Sequence, residues 1–151
     1  MTWFSEVTRD IARLPDALEH FENEYWQASD EVKIRGNLEK SAASMPGTVE
    51  HRFNQLQEIE AILNHMNIQL RKIKSKYFKK YLENYQRALS SRDVEKYVDG
   101  EDEVVDYEAL VNEVALMRNR WLGIIKALDA KQFQINNITK LRVAGMEDAT
   151  I

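Results

Sequence analysis

Cysteine is missing from these 151 residues, which excludes disulfides, thiolate nucleophiles and Cys-based zinc sites. Glycine and proline are scarce, at five and two, and that scarcity suits long uninterrupted helices better than a many-stranded sheet. No apolar run approaches the roughly 20 residues that a membrane-crossing helix needs. The opening Met1-Thr2-Trp3-Phe4-Ser5-Glu6 has neither the basic start nor the apolar stretch of a signal peptide. A soluble, intracellular protein that does not cross a membrane is therefore expected. Signatures of catalysis are missing too. There is no phosphate-cradling glycine loop, no Gly-x-Ser-x-Gly elbow and no dinucleotide fingerprint. His20, His51 and His65 do not form Glu-x-x-His pairs, and the acidic residues from Asp99 to Glu108 lack the spacing and central glycine of an EF-hand. Neither an enzyme nor a bound metal or cofactor is expected.

What is present is helical periodicity. Trp3, Phe4, Val7, Ile11 and Leu14 predict an amphipathic helix over residues 2–13, with Thr2 as its N-cap. Pro15 suits the first turn of a second helix, predicted to run to about residue 44 and to weaken after Gly36. Met45-Pro46-Gly47 reads as a turn. From Thr48 onward Val49, Phe53, Leu56, Leu63, Met66, Leu70, Ile73 and Tyr77 follow steps of three and four, with one step of seven over Glu60, a heptad stripe. Ser90 and Ser91 are cap residues for a short helix over about 92–98, which Gly100 can close. A last helix starts in Glu101-Asp102-Glu103, where negative charge complements the helix dipole. It continues through Tyr107, Leu110, Val114, Met117, Trp121, Ile124, Leu128, Ile135 and Ile138, with Lys131 interrupting the register and Gly145 as its stop. The expected fold is all-α: a long antiparallel helical hairpin with coiled-coil heptads over 48–145, N-terminal helices over 1–47 and a tail over 146–151. Each stripe is wider than one partner helix would cover. Self-association into a homo-oligomer would bury the remainder, and so would the N-terminal helices.

Charge is unevenly distributed. Residues 1–70 carry 6 Lys/Arg against 12 Asp/Glu, residues 71–98 carry 9 against 3, and residues 99–151 carry 6 against 10. The reversal centres on Arg71-Lys-Ile-Lys-Ser-Lys-Tyr-Phe-Lys-Lys80, in a chain of net charge −4. Such a block is an electrostatic target for a polyanion. Arg71, Lys72, Lys74, Lys76, Lys79, Lys80 and Arg87 are candidate phosphate contacts, and Tyr77 and Tyr81 candidate rings for a base to stack on. Charge with stacking favours single strands over duplex. The alternative is that the block pairs with the acidic segment Glu101–Glu113, which an antiparallel hairpin brings near. The protein would then be a structural or adaptor coiled coil that does not bind DNA. A membrane-surface role is a third, weaker reading.

Short motifs carry a resemblance. Tyr97-Val-Asp-Gly-Glu-Asp-Glu-Val-Val-Asp106, then Leu122-Gly-Ile-Ile-Lys-Ala-Leu128 and Phe133-Gln-Ile135 with Ile138, resemble the C-terminal half of the T4-type phage UvsY recombination mediators. Phe78-Lys-Lys-Tyr-Leu-Glu-Asn-Tyr85 is similar to that family's basic-aromatic segment. The likeness covers residues 70–145 and leaves 1–47 unmatched. It implies a ring-like all-helical homo-oligomer, without enzymatic activity, that binds single-stranded DNA in DNA recombination and repair. Its implied partners are a RecA-like recombinase, which it loads, and the single-stranded DNA-binding protein covering the strand. The implied location is the cytoplasm of a bacteriophage-infected host cell. In that family two basic residues at alternate positions precede the paired aromatics. Lys79 matches the first, whereas Tyr81 stands at the second, with Lys80 between. Repetition of the patch around a ring would add avidity.

Overall fold

The computed structural model describes residues 1–84 and 89–146, and these are all-α, with no strand among them. Helix α1 spans Trp3–Arg9. Thr2 caps it, its hydroxyl accepting from the Ser5 N–H at 3.1 Å. The helix predicted over residues 2–13 is thus broken. Asp10 adopts an extended conformation and its carboxylate accepts from the Ala12 N–H, opening a 3₁₀ turn over Ile11–Arg13. An Asp side chain that satisfies backbone N–H groups two residues on competes with helix continuation. Helix α2 follows over Leu14–Glu31, with Pro15 in its first turn as expected.

The next boundary differs from the prediction. Helix α2 stops at Glu31 and not near residue 44, and Met45-Pro46-Gly47 is no turn. Gly36 takes φ +76°, a conformation that favours glycine. Asn37 then accepts from the Lys40 N–H at 3.0 Å and caps the new helix. Helix α3 spans Leu38–Asn84 without interruption, with Pro46 inside it. Tertiary packing overrides the local signal: Met45 is buried, and Val49 packs against the same core.

Helix α4 spans Ser91–Asp99, with Ser90 as N-cap and Gly100 as C-cap. Helix α5 spans Asp102–Val143. It closes in a Schellman arrangement around Gly145 (φ +74°), in which Met146 N–H donates to Leu141 C=O at 2.8 Å. Residues 147–151, most of the expected tail, lie outside the described residues.

Helices α3 and α5 form an antiparallel pair, the largest interhelical contact of the fold. Ion pairs track its direction, from Arg118–Glu60 to Lys74–Glu108 and Lys76–Glu103. Trp121, Leu56, Ile59, Ile62, Met66 and Leu128 fill the main core, and Val7, Leu14, Ala17 and Phe21 of the N-terminal segment join it. Helices α1 and α2 therefore cover part of the surface that the wide stripes of α3 and α5 leave over. Arg52, only 2% exposed, ties α3 to α2. Its guanidinium donates to Glu24 at 2.7 Å, to Glu31 at 3.0 Å and to Gln55 at 2.9 Å, and lies over the Trp121 ring at 6.0 Å. Lys131, which breaks the stripe of α5, donates to the Glu31 carbonyl at 2.6 Å and so caps α2.

Candidate functional site

A second, smaller core sits where α3, α4 and α5 meet. Val94, Val98 and Val104 are buried there, with Ile73, Tyr77, Phe78 and Tyr81 of α3 packed against them. This packing fixes the rotation of α3 and sorts the basic block. Positions 73, 77 and 81 face inward at helical spacing, so positions 71, 72, 79 and 80 turn outward.

Lys74 lies on the inward side. Its ammonium sits 3.0 Å from Glu108 and 3.3 Å from Asp99. The Glu108 hydrogen bond is the main cause that raises its pKa above the ordinary lysine value, against desolvation. Lys76 donates to Glu103 at 3.0 Å, and the Tyr77 hydroxyl donates to the same carboxylate at 2.6 Å. That hydrogen bond pushes the Tyr77 phenol up to about 12 and holds Glu103 below the usual carboxylate range. Tyr81 donates to Glu101, and its ring stacks on Tyr97 with centroids 5.6 Å apart. Neither tyrosine is presented as an open stacking platform. Both rings pack against the small core and both hydroxyls are engaged.

The remaining cations stand differently. Arg71, Lys72, Lys79 and Lys80 are exposed, and among the described residues no carboxylate lies within ion-pair distance of them. Lys72, Lys76 and Lys80 recur at four-residue steps, about 6 Å apart along the axis. Lys79 lies between the last two, and Lys80 rests over the Tyr77 ring at 5.8 Å. Arg87, the last candidate contact, lies outside the described residues.

The chain matches no protein-family model, no curated protein and no solved structure. Its site must be read from its own geometry. Among the described residues no cluster of His, Asp or Glu has the geometry to hold a metal ion. No helix there is long and apolar enough to cross a membrane.

Two features escape sequence reasoning. One is the Arg52 network, since nothing local marks a lone arginine as buried. The other is a cleft between α1, α3 and α5 lined in part by His65, Gln69 and Tyr107. Its faint signal is that positions 65, 69, 72 and 76 share one flank of a helix.

Proposed function

We propose that the protein binds single-stranded DNA along the outward face of α3, with Arg71, Lys72, Lys79 and Lys80 as the primary phosphate contacts. One observation carries this reading. These four cations are exposed on a rigid helix and, among the described residues, make no ion pair, while Asp99, Glu101, Glu103 and Glu108 are spent on Lys74, Lys76, Tyr77 and Tyr81. Cations that no carboxylate neutralises are what a phosphate backbone engages, releasing counterions. The inward positions then have a structural role, which narrows the candidate contacts. The resemblance of residues 70–145 to UvsY-type mediators supplies the finer reading. The chain would act as a non-enzymatic recombination mediator, a ring-like oligomer that helps a RecA-like recombinase displace single-stranded DNA-binding protein.

The second reading, an adaptor coiled coil whose basic block pairs with its own acidic run, is favoured by the same bonds at Lys74 and Lys76. It leaves the outward four unexplained. Fluorescence anisotropy of labelled oligo-dT across a salt series separates the two. Four neutralised phosphates per chain give a log–log slope of about −2.8 on single strands. Lys79→Glu with Lys80→Glu is expected to abolish most of that binding without unfolding the protein, because neither lysine makes an ion pair among the described residues. A folded wild-type protein that shows no affinity at low salt would leave the adaptor reading standing.

A further inference from the structure

The cleft between α1, α3 and α5 has a volume of about 240 Å³. Val7 and Ile11 of the N-terminal segment and Ile73 of α3 form its apolar walls. Thr8, His65, Gln69 and Tyr107 bring polar groups to it. The Thr8 hydroxyl donates to the Ser5 carbonyl. The His65 imidazole, the Gln69 amide and the Tyr107 hydroxyl have no hydrogen-bond partner among the described residues. Desolvation of its surroundings raises the Tyr107 phenol above its ordinary pKa, so it stays a neutral donor. The cleft is held open by fixed elements. Glu58 of α3 accepts from the Phe4 N–H at 3.0 Å and seats α1, and Phe4 meets the His65 ring edge-on at 6.5 Å. Apolar walls with a few convergent, uncommitted polar groups are the ordinary make-up of a ligand site.

Position and size identify the ligand. The volume is below the roughly 300–1,000 Å³ of pockets that enclose drug-sized molecules, so one small planar ring system fits. Lys72 is three residues beyond Gln69 and Lys76 three beyond Ile73, so both continue the same flank of α3. The Lys76–Glu103 bridge stands one turn from Ile73 and one turn from Tyr107. A group entering the cleft therefore belongs to a molecule whose anionic part lies along Lys72 and Lys80.

We infer that this cleft receives one unstacked nucleobase of a strand whose phosphates follow Lys72 and Lys80. The inference rests on the single-strand reading above and adds a base subsite to it. The Gln69 amide offers a donor and an acceptor to a base edge, and Tyr107 offers a second donor. Tyr77 and Tyr81, engaged elsewhere, are not required.

Anisotropy titrations of the full chain with oligo-dT and with an abasic deoxyribose-phosphate strand of equal length and charge test it. Oligo-dT should bind about tenfold more tightly, the worth of two net hydrogen bonds. Gln69→Leu combined with Tyr107→Phe should erase most of that advantage and leave the abasic strand's affinity unchanged, which also shows that the variant is folded. Equal binding of the two wild-type strands, or an advantage that survives the double variant, would overturn the base subsite alone. Competition by thymidine monophosphate at matched base concentration would overturn the assignment to a strand. Failure of both strands to bind would remove the single-strand reading itself.

Discussion

Arg52 is the residue on which the N-terminal half turns. Its charge is buried, and burial alone would lower its pKa, but the hydrogen bonds it donates to Glu31 and Glu24 raise it. Removing the guanidinium in Arg52→Ala strands two carboxylates. Breaking a buried pair costs about 3–5 kcal/mol, and a loss of about 3 kcal/mol is expected in urea unfolding because Glu31 keeps some contact with water. The same network sets an acid limit. The hydrogen bond from Gln55, then those from Arg52, hold Glu24 below the ordinary 4.5. A depressed carboxylate stabilises the fold fully above its unfolded pKa and loses that contribution as pH falls through the folded value. Thermal stability should therefore decline as pH drops below about 4.5, and Glu24→Gln should flatten that decline. Tyr77 gives a separate signature. A spectrophotometric titration should show one phenol ionising near 12, and Tyr77→Phe should delete that step.

At the scale of elements, most of the architecture was legible from periodicity. The stripe from Val49 to Tyr77 and that from Tyr107 to Ile138 locate α3 and α5, and the acidic start of α5 and the caps at Thr2, Ser90 and Gly100 fall as expected. The boundary between α2 and α3 was misread because proline and glycine are local signals, whereas Met45 is held by a distant core. Gly36 carries the actual turn, and only its backbone angle reveals that. The substitution pattern should follow. Gly47→Ala meets open space in a helix and should stabilise by about 0.5–1 kcal/mol, whereas Gly36→Ala, at positive φ, should destabilise by about 1–2 kcal/mol in the same unfolding assay. The basic block was legible as a block, and the heptad positions of Ile73 and Tyr77 put Arg71, Lys72, Lys76, Lys79 and Lys80 outside the seam or at its margins, but the division into carboxylate-paired and unpaired cations was not legible. That division depends on how Val94, Val98 and Val104 set the rotation of α3.

For the molecule as a whole, the N-terminal helices, the α3–α5 pair and the short α4 share packing so that one long helix carries both the main core and the basic face. Helix α3, at 47 residues, extends about 70 Å. Near its end the surface is divided, with Asp99, Glu101, Glu103 and Glu108 gathered on one side and Arg71, Lys72, Lys79 and Lys80 on the other. A chain of net charge −4 would ordinarily be repelled by a polyanion. Because its charges are sorted across a stiff rod, it instead carries an electric moment that would turn it in the field of any approaching polyanion, cationic side first. Such pre-alignment quickens encounter without strengthening the final contacts, and it fades once dissolved ions shorten the reach of the field to about 8 Å.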